Sequence, residues 1–124
     1  MQSHKDLDSW KLSITLARDI YELIERFPMH ERFGLSLQMR RAAISIASNI
    51  AEGAARHGSR EFSRFLYMAA GSASELSTQL EIAKVIGYGQ EDAIGALQEM
   101  VERVTRLLHG LIRHVKTREH QAHG

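Results

Sequence analysis

A chain of 124 residues with 44% hydrophobic content is the size and composition of one domain with an ordinary core. A formal charge of +1 excludes a strongly basic protein, so any attraction to nucleic acid must come from a local patch. Cysteine is absent, which removes disulfides, thiolate nucleophiles and cysteine-ligated metals.

No apolar run reaches transmembrane length, and Lys5, Asp6 and Asp8 near the start are not followed by the apolar region of a secretory signal. The expectation is a cytoplasmic protein without membrane contact. A single proline and 6% aromatic residues favour long helices over a many-turned sheet.

The first helix is predicted over 8–26, capped by Asp8 or Ser9. Leu7, Trp10, Ile14, Ala17, Tyr21 and Ile24 recur at spacings of three and four, the seam of helices packed at shallow angles. Phe27-Pro28 ends it, because the residue before a proline is pushed out of helical geometry.

Ser36 is the expected cap of a second helix over 36–56, whose apolar periodicity splits. Met39, Ala43, Ile46 and Ile50 form one seam; Leu37, Ile44, Ala47, Ala51 and Ala54 form another. A polar line of Ser45, Ser48, Asn49 and Glu52 runs through the same segment, which therefore lacks the single stripe of a solvent-facing helix.

His57-Gly58 stops that helix, and Ser59 is read as the cap of a third over 60–86. Its core face carries Phe62, Phe65, Ala69, Ala73, Leu76, Leu80 and Ala83. The small stretch from Ala69 to Ser74 predicts close approach of a neighbouring backbone near Gly71. Gly87-Tyr88-Gly89 ends the helix.

The fourth helix, over 91–116, has the cleanest seam: Ile94, Leu97, Val101, Val104, Leu108, Leu111 and Val115. Residues 117–124 are expected to fray. Short connections then imply an all-α, antiparallel up-down-up-down four-helix bundle forming one domain over 1–124.

Residues equidistant from the Gly58 turn lie at equal heights in an antiparallel hairpin. Arg41 is thereby set level with Glu75, Ser45 with Gly71, and Glu52 with Arg64. Arg41–Glu75 and Glu52–Arg64 are the expected structural ion pairs, and Arg41, Ser45, Asn49, Glu52 and Glu75 a structural polar network.

Several segments resemble one bacterial family: Trp10 with the Phe27-Pro28 ending, the run from Leu37 to Ile46, and the run from Ser48 to Gly53. Phe62, Phe65-Leu66, the run from Ala70 to Ala73, Glu75-Leu76, Gln79-Leu80 and Gly87-Tyr88 continue the likeness. It is to the four-helix-bundle proteins named after open reading frames in intervening sequences of 23S ribosomal RNA. The resemblance covers nearly the whole chain and is most specific in helices two and three. It implies a ring-like homo-oligomer, with pentamers the expected form, and no established enzymatic activity. Some similar proteins, more basic than this chain, are accessory factors of diversity-generating retroelements that bind nucleic acid and a reverse transcriptase.

Arg40, Arg56, Arg60 and Arg64, with His57, form a candidate basic cluster near the second turn. Guanidinium groups there would grip phosphate oxygens; a solvated helix end paired with Glu52 and Glu61 explains the same residues and, at a net charge of +1, is the preferred reading of the two. The second face of helix two and the small stretch of helix three mark a packing or oligomer interface: Ile44, Ala47, Ala51, Gly71 and Ala73.

No metal or cofactor is expected. His109 and His114 are spaced by five, off the face of helical zinc pairs, and neither Glu52 nor Glu75 begins the Glu-x-x-His motif of a di-iron bundle. The resulting expectation is a non-enzymatic homo-oligomer that binds RNA or DNA through its arginines. The alternative is an adaptor for a protein partner, such as a reverse transcriptase, with no nucleic-acid binding of its own.

Overall fold

The structure is a computed structural model that describes the backbone of residues 4–123 and the side chains of 4, 5 and 7–118. Four helices, α1 (Asp8–Ile24), α2 (Leu35–Ala55), α3 (Ser59–Ile86) and α4 (Glu91–His123), follow a short 3-10 turn at His4–Asp6. Each packs on its sequence neighbours, and α4 closes the square against α1. α1 and α3, like α2 and α4, occupy diagonals and do not touch closely. This is an antiparallel up-down-up-down four-helix bundle. One end holds the α2–α3 turn, the start of α1 and the last turns of α4; the other holds the two remaining connections.

The core is built where the periodicities of all four helices converge. Leu16, Ile20, Met39, Ile46, Ile50, Leu66, Leu76 and Leu108 are among its fully buried side chains. Burying each such side chain contributes on the order of 1.5–3 kcal/mol. The α2 seam of Met39, Ala43, Ile46 and Ile50 is wholly internal, as is the α3 seam from Phe65 to Ala83. On α4 the buried stripe shifts from Leu111 to Ile112 before returning at Val115.

The first helix departs from expectation. Its buried face is Ser9, Ser13, Leu16, Ile20, Leu23 and Ile24, whereas Ile14 and Tyr21 of the predicted seam stay exposed. Two serines thus occupy core positions. Ser13 removes the penalty by donating its hydroxyl to the Trp10 carbonyl at 2.7 Å.

Capping also differs. Leu7, Gly34 and Gly58 precede the first three helices, and none of those starts has a hydrogen bond from a side chain at the cap position. α2 is instead capped from outside, by the Glu31 carboxylate accepting the Leu35 N–H at 3.1 Å. α1 ends at Ile24 because Arg26 and Phe27 tighten onto the Leu23 and Ile24 carbonyls before Pro28. Gly87, at φ +93°, closes α3: its N–H and that of Tyr88 both reach the Ala83 carbonyl.

Of the 117–124 tail expected to fray, the backbone stays helical to His123, and position 124 lies outside the described residues. Nothing from Thr117 to His123 is a helix breaker, and the Thr117 hydroxyl bonds the Arg113 carbonyl at 2.8 Å.

Candidate functional site

The polar line of α2 turns partly inward. Asn49 donates to both the carbonyl and the hydroxyl of Ser45 at 2.9 Å, and the Ser72 hydroxyl reaches Ser45 Oγ at 2.8 Å. Ser45 thus lies level with Ser72, one residue from the Gly71 of the expected register. The two expected ion pairs do not form. Glu52 binds Arg56 at 2.6 Å and Arg64 binds Glu61 at 3.1 Å, each along its own helix. Partners one turn away need no precise helix–helix spacing, so they outcompete partners across the groove. Arg41 and Glu75 are exposed and make no ion pair with a described residue. Water solvates such charges about as well as a surface pair does.

The close backbone approach sits at Gly53 rather than Gly71. A Cβ on Gly53 would stand 2.7 Å from Phe65 Cβ and 3.3 Å from the Phe62 carbonyl, while one on Gly71 would meet open space. Gly71 faces outward, and Ala73 is buried in the bundle's own core.

Besides Met29, Phe33 and Val85, exposed apolar side chains gather on two helix faces. Leu7, Trp10, Ile14, Ala17 and Tyr21 share one side of α1, and Leu37, Ile44, Ala47 and Ala51 one side of α2, by the 3.6-residue period. Leu7, Trp10 and Ala17 pack partly against the core, so Ile14 and Tyr21 are the exposed members on α1. Tyr21 and Ile24 line a surface groove with Glu25, Arg32 and Arg40. Ile14, Tyr21 and Ile44 are 43–45% exposed. Ala47 is buried and Ala51 half-buried. The second face is on α3, where the half-exposed Met68, Ile82 and Ile86 share a side with Gly71 and the exposed Glu75. Among the described residues α4 exposes no large hydrophobic side chain.

The arginine cluster is smaller on α2 than expected and larger elsewhere. Arg40 lies sixteen residues before Arg56 on one helix, ~24 Å along its axis. It bonds the Arg32 carbonyl at 3.5 Å and so belongs to the opposite end. Arg56, Arg60 and Arg64 do converge at the α2–α3 turn. Phe65 organises two of them, with guanidinium carbons 5.2 Å (Arg56) and 4.7 Å (Arg64) from its ring centre. Glu61 takes a two-pronged grip from Arg64, at 3.1 and 3.3 Å, which holds its carboxyl below the usual carboxylate range. Arg60 is exposed.

The bundle adds residues that reading helix by helix missed. Antiparallel packing brings His114 and Arg118 of α4 beside Gly58 and Ser59. Lys116 reaches across α3 to bond the Tyr67 hydroxyl at 3.0 Å. The other end carries Glu22, Glu25, Glu31, Glu81, Glu91 and Asp92 interspersed with Arg26, Arg32, Arg40, Arg41 and Lys84. The charge of +1 thus conceals a local basic cluster where α4 ends beside the α2–α3 turn. Up-down topology alone could have revealed it.

At the opposite end the Tyr88 hydroxyl donates to Glu31 at 3.0 Å and lies 3.2 Å from His30 Nε2. Bonds from the Leu35 N–H and Tyr88, with His30 nearby, hold the Glu31 carboxyl below its ordinary value; the same carboxylate pushes the Tyr88 phenol up. This clasp ties the α1–α2 link to the α3–α4 turn. Among the described residues no group of three or more His, Asp or Glu side chains is placed to hold a metal ion, and no helix is long and apolar enough to cross a membrane.

The family described as 23S rRNA-intervening sequence protein matches residues 5–110, and the chain belongs to that family. No curated protein matches the chain.

Proposed function

We propose that this member of the family is a non-enzymatic assembly module whose copies join into a ring and offer their arginine-bearing ends to nucleic acid. The observation that carries this reading is the pair of unlike apolar faces on one bundle. Ile14, Tyr21 and Ile44 stand half-exposed on the α1–α2 side, and Met68, Ile82 and Ile86 on α3. Apolar surface of this kind marks a contact site. A contact between two different faces repeats from copy to copy, and such a head-to-tail contact closes into a ring when the rotation permits. Five copies is the number that the family resemblance supports.

In such a ring the α2–α3 turns of all copies point the same way. Arg56, Arg60 and Arg64 then recur around one rim, and multiplication of weak phosphate contacts compensates for the small charge of each chain.

The absence of cysteine from the chain gives a clean test of the contact. Copies carrying Ile44→Cys are mixed with copies carrying Ile82→Cys and oxidised. The head-to-tail contact predicts that the mixed dimer dominates over either self-paired dimer. Self-pairing through position 44 alone, or no cross-linking at all, would contradict it.

A further inference from the structure

At the basic end a cleft of about 530 Å³ opens between the segment that precedes α1 and the facing ends of α2, α3 and α4. Leu7, Phe62 and Leu111 provide apolar walls, with Ala54 of the last α2 turn beside them. The rim is cationic or protonatable: His4, Arg56, His114 and Arg118. The start of α3 opens into the same cleft through Gly58 and Ser59, and no side chain caps its amides. The cleft thus offers an apolar interior and an anion-seeking mouth, within the ~300–1,000 Å³ range of small-molecule sites.

We propose that this cleft receives one unpaired nucleotide of a nucleic-acid strand. The base enters between Leu7, Phe62 and Leu111, and the flanking phosphates meet Arg56 and Arg118. The inference rests on the reading of this end as a nucleic-acid interface and adds a preference to it. A base inside a duplex is stacked and paired, so it cannot enter an apolar cleft without being extruded. A single strand, a loop or a frayed end presents its bases freely. Arg56 suits the rim position because Glu52 and the Phe65 ring already hold its guanidinium, leaving less freedom to lose on binding.

The test is fluorescence anisotropy with a short labelled RNA strand and with the blunt-ended duplex of the same length, at low salt. The native chain binds the single strand about tenfold more tightly, the scale of burying one base. Ala54→Trp fills the cleft and lowers single-strand affinity to the duplex level, leaving duplex affinity unchanged. Should that variant lose its cooperative melting, the exposed pair His114→Ala and Arg118→Ala serves instead and lowers the single-strand preference by about threefold or more. Equal binding of strand and duplex by the native chain would overturn the cleft and leave the phosphate interface standing. A preference that survives both sets of substitutions would do the same. No binding of either RNA would remove the interface as well.

Discussion

Gly53 of α2 sits directly against Phe65 of α3: a Cβ on the glycine would lie 2.7 Å from the Cβ of the phenylalanine. Both atoms are fixed to backbone, so no rotamer change relieves the clash and the helices would have to part. Overpacking of this kind costs about 1–3 kcal/mol, against a gain of up to about 1 kcal/mol in helix propensity. Gly53→Ala is therefore expected to destabilise the bundle, measured as a lower midpoint of urea unfolding. Gly71→Ala, where a Cβ meets open space, is expected to gain about 0.5–1 kcal/mol at concentrations where the chain is monomeric.

That contrast shows what the sequence alone carries. The hairpin register was legible to within one residue, because a tight turn and an unbroken helical period leave little freedom: Ser45 meets Ser72. Which small residue faces inward was not legible, since Gly53 and Gly71 both sit in mixed segments. The α1 stripe from Leu7 to Tyr21 has the spacing of a seam. Spacing says that a face wants a partner but not whether the partner lies in the same chain, and buried Ser9 and Ser13 disguised the true core face. Arg40 falls outside the cluster for a simpler reason: likeness in charge groups it with Arg56, but the sixteen residues between them along α2, readable in the sequence, put it at the other end.

The clasp between Glu31 and Tyr88 predicts a pH response. Bonds from the Leu35 N–H and the Tyr88 hydroxyl hold the Glu31 carboxyl below the ordinary 4.5. The ionised form is thus the one favoured by folding. Its contribution is fully present above 4.5 and is lost as pH falls through the folded value. Melting temperature followed from neutral pH down to pH ~3 should fall less steeply in Glu31→Gln, which starts lower at neutral pH. Tyr88→Phe should remove part of the same acid-dependent loss.

The arginine-bearing end predicts a specific salt signature. Each phosphate contact adds about 0.7–0.9 to the slope of log affinity against log salt. Arg60→Ala is expected to reduce that slope by about one contact and to weaken RNA binding uniformly across sequences. Arg40→Ala, at the opposite end, should leave both unchanged. A flat salt response of the native chain would contradict phosphate recognition.

Assembly is the claim on which the rest depends, and light scattering coupled to size exclusion tests it most directly. At tens of micromolar (about 0.5 mg/ml) the native chain should elute as one species whose mass is a fixed multiple, several-fold, of 14.0 kDa. Ile44→Glu places a charge in the α1–α2 face and should give the single-chain mass with helical content intact. A native chain that runs at 14.0 kDa under these conditions would contradict the account.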